Sequence, residues 1–231
     1  MLTKYLQITL ITAWALAFYW LLTFGRPLLA RLLHPNLWWL VVTGAVILLL
    51  FLAVSICRPA PRRRYLWRLQ LPPLLILALP LLYLFFSQDA RLGADTFSKR
   101  SLRSDLGFSQ NTERNWSFRD DGGEDISLAR LVFDRQRYLG QEVTVVCQSF
   151  VDEGLPEGIA MCYRYLISCC AADAQPLFVF IQQPTAEPIA NDRWIRVVGT
   201  LSLVGNEQVE LPLITPGEVS YVEEPPFPYI Y

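Results

Sequence analysis

The chain changes its hydrophobic period twice. Three uncharged apolar runs come first: 5–24 (YLQITLITAWALAFYWLLTF), 37–56 (LWWLVVTGAVILLLFLAVSI) and 71–87 (LPPLLILALPLLYLFFS). At about 1.5 Å per residue, twenty apolar residues span roughly 30 Å of hydrocarbon, so the runs predict three transmembrane helices. Pro72 and Pro73 suit the first turn of the third, and Pro80 interrupts its ladder. A cleaved signal peptide is the alternative for the first run, but its apolar core is long and no small-x-small site precedes Arg26. Residues 88–124 then lose apolar periodicity and read as a polar linker with room for one short helical turn, in which Trp116 and Phe118 could dock. Over 125–140, Ile126, Leu128, Leu131, Val132 and Tyr138 recur near helical spacing, with Asp125 as N-cap and Gly140 as stop.

From Gly140 the period becomes two. Segments 141–151, 160–168, 176–183, 193–204 and 209–224 predict five or six strands separated by Gly, Pro and Asn/Asp turns, with a bulge or bend at Gly199. Five strands in so short a stretch fit a small closed barrel of the oligonucleotide/oligosaccharide-binding (OB) type, with a two-sheet β-sandwich as the alternative. The domain boundaries expected are 1–87 for the membrane helices, 88–124 for the linker and 125–231 for the β-domain.

Charge sharpens this division. Residues 1–88 carry no Asp or Glu and eight Lys/Arg, a balance of +8, whereas the remainder carries −9, so the net of −1 averages two unlike regions. Five arginines (Arg58, Arg62, Arg63, Arg64, Arg68) lie between the second and third runs, against Arg26 and Arg31 between the first and second. Clusters of basic residues stay cytoplasmic, which puts the amino terminus inside and the β-domain outside, in a plasma or internal membrane that the family resemblance below implies to be bacterial. The acidic β-domain disfavours nucleic acid, whose phosphates need basic patches.

Cysteine is the remaining chemistry. Of five, Cys57 ends a membrane run and four lie in the β-domain. An even number outside the cell suggests disulfides. Cys147 and Cys162 are the simplest pairing, yet setting Val143 and Val145 against Tyr165 and Tyr163 places Cys147 opposite Met161 instead. Cys169 continues the face of Tyr163, Tyr165 and Ile167, and Cys170 that of Arg164, so strand alternation predicts one thiol in the core and the other at the surface. That geometry favours packing over chelation, with metal or partner contact by the exposed thiol and thiol redox chemistry as alternatives. Cys169, Cys170 and Asp173 form the candidate zinc set, although zinc wants four ligands and the lone His34 is far away in sequence. With one histidine and no glycine-rich phosphate loop, no catalytic constellation is visible, and the chain reads as non-enzymatic.

Several strings, YRYLISCCAADAQP, WIRVVGTL, VSYVEEPPFPYIY, YLGQEVTVVCQSFV and ARLGADTFSKRS, resemble those of the YcgQ-like family of uncharacterised bacterial membrane proteins. The resemblance implies three amino-terminal helices, a carboxy-terminal β-domain and a role beside a multi-spanning permease, sometimes encoded near zinc-handling genes. Its motifs fall on Cys169, Cys170, Ala171, Ala172, Asp173, Ala174 and Pro176, and on Glu223, Glu224, Pro225, Pro228, Tyr229 and Tyr231. Cys147 stands where the family has a strand glycine, and the loop between the second and third helices is arginine-rich where relatives carry histidine. The function expected is an accessory subunit of a permease, with Cys170, Asp173, Tyr229 and Tyr231 as contact surface and Thr43, Gly44 and Ala45 as a helix-packing patch. The alternatives are a thiol-redox or metal-transfer module and a ligand-binding barrel; the lipid bilayer and a second copy of the chain are candidate partners beside the permease.

Overall fold

The computed structural model describes residues 2–57, 67–86, 91–101, 125–184, 188–206 and 209–231. The arginine-rich stretch 58–66 and both Trp116 and Phe118 lie outside them. The chain divides into two compact units, Met1–Arg91 and Leu92–Tyr231.

The first unit is helical: α1 (Leu2–Thr23), α2 (Arg26–Leu32), α3 (Trp38–Cys57) and α4 (Trp67–Phe86). α1 packs against both α3 and α4. Among the described residues one helix, over Pro35–Cys57, is by itself long and apolar enough to cross a membrane, and Ile8–Thr23 of α1 with α2 forms a pair bent by 93° that passes the same test together. None of the α3 side chains is buried, and Phe51, Ile76, Leu79 and Phe86 are each more than 60 % exposed. Lipid tails or another protein's helices are the surroundings that suit such a surface. The Trp14 indole N–H donates to the Leu77 carbonyl (2.9 Å), so a polar group of α1 finds its partner on α4.

In the second unit, β1 (Glu142–Phe150), β2 (Ile159–Leu166), β3 (Gln175–Gln182), β4 (Trp194–Asn206) and β5 (Val209–Tyr221) form a mixed sheet. Their order is β1-β2-β3-β5-β4, and β4 returns to β1, closing the ring of pairings; β3 with β5 is parallel and every other pair antiparallel. The expected bulge is present: the β4–β5 register shifts between Val198 and Gly199. A Cβ on Gly199 would clash with the Thr215 carbonyl oxygen and come within 2.8 Å of Pro216 Cα, so only glycine fits this crossing. The interior is aliphatic: Val143, Val145, Val179, Ile181, Ile195, Val197, Leu201 and Ile214, closed by α6 (Leu128–Phe133) through Leu128, Ala129 and Leu131.

Two expectations are corrected here. The helix predicted over 125–140 is two short ones, α6 and α7 (Arg135–Tyr138), broken at Asp134. Ser127, not Asp125, occupies the N-cap position of α6, because the Asp125 carboxylate pairs with Arg196 on β4 (2.5 and 2.7 Å). Within the stretch expected to be linker, the described residues 91–101 hold a helix of eight residues that packs on the sheet rather than a single turn. Gly93 starts the turn into α5 (Ala94–Ser101), and Phe97 on α5 is 1 % exposed, packed on the outer side of β1, β2 and β3. Asp192, in the loop before β4, helps to hold this docking: it accepts from the Ala94 N–H (3.1 Å) and from Gln148 Nε2 (2.6 Å), while the Tyr165 hydroxyl donates to the Gly93 carbonyl (3.3 Å).

Candidate functional site

Strand β2 is buried on both faces from Cys162 to Leu166, where a half-exposed strand would alternate. Its inner face carries Ala160, Cys162 and Arg164. Its outer face carries Tyr163 and Tyr165, which join Phe97, Phe150, Phe178 and Tyr229 in a second, aromatic cluster. Rings meet at 4.3 Å (Phe97 with Tyr163) and 4.8 Å (Phe97 with Phe150), within the range of favourable aromatic pairing.

This double burial overturns the register expected from sequence. Ser149 is directly opposite Cys162, and Gln148 opposite Tyr163. The tyrosines of β2 therefore do not share a face with Val143 and Val145; Cys162 does. Cys147, two residues from Ser149 on the same face, reaches Cys162 diagonally and forms a disulfide with it, at a Cα separation of 5.4 Å and with both residues fully buried. Tyr163 and Tyr165 leave the aliphatic interior of the sheet because a separate aromatic cluster claims them.

The double-cysteine turn also departs from strand alternation. β2 ends at Leu166 and the chain bends through Ser168 and Cys169 into a single 3-10 turn, Ala171–Asp173. Cys169 is exposed and Cys170 half-buried, so neither lies in the core. Instead their Sγ atoms face each other at 3.5 Å. Asp173 builds the turn: its carboxylate accepts from the N–H groups of Cys169 (2.8 Å) and Ser168 (3.2 Å), while its own N–H donates to the Cys170 carbonyl (3.0 Å). The Cys169 thiol, held foremost by the Asp173 carboxylate and then by the Cys170 sulfur, is pushed up to about 12. Partial burial works to raise Asp173, but the Cys169 thiol and the backbone N–H groups outweigh it and hold the carboxyl below its ordinary value. The turn thus brings Cys169, Cys170 and Asp173 together, with the carboxylate committed to the backbone and the thiol. Among the described residues, no group of three or more His, Cys, Asp or Glu side chains is arranged to hold a metal.

Within the final segment, Pro228, Tyr229 and Ile230 are not a free surface. Tyr229, expected as a contact residue, is 5 % exposed, stacks edge-on against Tyr165 (6.1 Å) and presents its hydroxyl to the Leu92 N–H (3.4 Å). Ile230 exchanges backbone bonds with Tyr165 and Ile167 (2.8 and 2.9 Å). Tyr231 remains half-buried beside Phe227. Sequence reasoning passed over Arg164, which is 4 % exposed and donates to the carbonyls of Phe227 (2.6 Å) and Pro228 (3.2 Å). The signal was there: three prolines in PPFP remove N–H donors from a segment whose carbonyls still need partners.

The fold and turn define a small mixed β-domain, cross-linked inside and carrying a dithiol turn outside. Residues 127–231 match the family model of the DUF1980 C-terminal domain, a match that takes in α6, α7, all five strands and the final segment but not α5. Neither the curated proteins nor the solved structures give a match.

Proposed function

We propose that this chain is a non-enzymatic, membrane-anchored accessory subunit of a multi-spanning permease, with three amino-terminal helices in the bilayer and an OB-type barrel on the extracytoplasmic side. The observation that carries this reading is the buried Cys147–Cys162 disulfide, a bond that persists in oxidising compartments. It agrees independently with the arginine asymmetry, which assigns the barrel to the same side. The apolar exposure of α1, α3 and α4 supplies a surface for helices of another membrane protein. A strand order of β1-β2-β3-β5-β4 with β3 parallel to β5 suits the OB type. The permease partner, and any link to zinc, come from the family resemblance.

One structural feature weighs against the ligand-binding alternative. The outer face of β2 and β3, where OB folds take their ligands, is filled by Phe97 and Tyr229 of the chain itself. What remains for a partner is the turn around Cys170 and Asp173 with Tyr231. Crosslinking in membranes followed by purification is expected to recover a multi-spanning transporter, and recovery of homo-oligomers alone would contradict the proposal.

A further inference from the structure

We propose that Cys169 and Cys170 are a reversible redox site, closing to a vicinal disulfide through exchange with an external disulfide while Cys147–Cys162 stays oxidised as a permanent cross-link. The two sulfurs already stand 3.5 Å apart on an exposed turn, so bond formation needs a local adjustment and no approach of distant segments. The same domain holds a completed disulfide, so disulfide reagents are the oxidants of its compartment.

Backbone spacing separates the two pairs chemically. Disulfides ordinarily join Cα atoms about 4.4–6.8 Å apart, and the 5.4 Å of Cys147 and Cys162 falls inside that range. Neighbouring residues have Cα atoms only about 3.8 Å apart across a trans peptide. A bond between Cys169 and Cys170 is therefore strained as well as exposed, the two properties that make a disulfide easy to reduce. Closing it also disturbs the backbone around Ser168 and Cys169, whose N–H groups Asp173 holds in the dithiol form. Asp173 thus favours the reduced turn, and an oxidant must overcome it.

The step is a thiol–disulfide exchange. One cysteine sulfur, as thiolate, attacks R–S–S–R, forming a mixed disulfide and expelling RS−. The second sulfur, after losing its proton, attacks the first and expels the other RS−. Two electrons pass from the protein dithiol to the reagent, and the two protons leave on two molecules of RSH.

This inference goes beyond the permease reading and rests only on the turn and its compartment, so either can fail alone. The test uses the full chain in detergent with Cys57→Ser, equilibrated in glutathione buffers of graded poise and analysed by mass spectrometry of the fragment bearing both cysteines. The expected result is loss of two hydrogens without added glutathione, reversed at poises that leave Cys147–Cys162 intact. Stable glutathione adducts, linked dimers, thiols that stay free, or co-reduction of both pairs would each overturn it. In Cys169→Ser, Cys170 is expected to take up glutathione instead; the parent protein alone decides the question if that variant does not fold.

Discussion

The two faces of β2 are two cores back to back, built on different principles. The inner one is aliphatic, assembled by strand register and α6, and cross-linked by Cys147–Cys162; its buried residues all lie within the matched residues 127–231. The outer one is aromatic and assembled from both ends of the domain, with α5 contributing Phe97 and the final segment contributing Tyr229. The difference teaches that the inner core can be specified locally while its outer covering depends on long-range docking, in which Asp192 holds the start of α5 and Arg164 holds the final segment beside the backbone bonds of Ile230.

Substitutions that attack one core at a time should separate them. Leu131→Ala, at a fully buried position of α6, is expected to cost about 2–5 kcal/mol, read as a lower urea midpoint for the whole domain. An unchanged midpoint would mean that α6 does not close the interior. Replacing Cys147 and Cys162 together by Ala should cost roughly 3 kcal/mol by releasing a loop 15 residues long, again across the whole domain. Arg164→Met should cost about 1–3 kcal/mol, because it leaves two carbonyls without their donor. Here the effect should be local, appearing as carboxypeptidase access to Pro228–Tyr231 and faster amide exchange at Ile230, with β1 and β4 still protected. Equal loss of protection in β4 would show that the two cores are one cooperative unit.

The smallest effect concerns the turn. With its carboxyl held low, Asp173 contributes stability that is present above the ordinary carboxylate pKa and lost as pH falls through its folded value. Cys169, raised to about 12, has the opposite sign: its contribution is present below the ordinary thiol pKa and lost as pH rises toward 12. Alkylation of reduced Cys169 at mildly alkaline pH should accordingly be slow, and Asp173→Asn should accelerate it with little change in the urea midpoint. No acceleration would mean that the carboxylate does not hold the thiol proton.

Period and punctuation made much of this legible. Each strand begins and ends within a few residues of its expected place, and Gly199 marks its bulge, because alternating apolar residues and glycine act locally. The face assignment of β2 was not legible. Tyr163 and Tyr165 look like interior residues in isolation, and only α5, some 66 residues earlier than Tyr163 at Phe97, reveals the second cluster. The dithiol turn was half legible: the residues were identified, but alternation was carried past Leu166, where Asp173 bends the chain and brings both sulfurs together.

The proposed extracytoplasmic placement of the β-domain is the claim beneath the others. A cysteine introduced at the exposed Glu157, in the turn between β1 and β2, can be probed with a membrane-impermeant maleimide in a background with Cys57, Cys169 and Cys170 changed to Ser. Labelling of Glu157→Cys in intact cells is the predicted result. Labelling confined to inverted membrane vesicles would contradict the account.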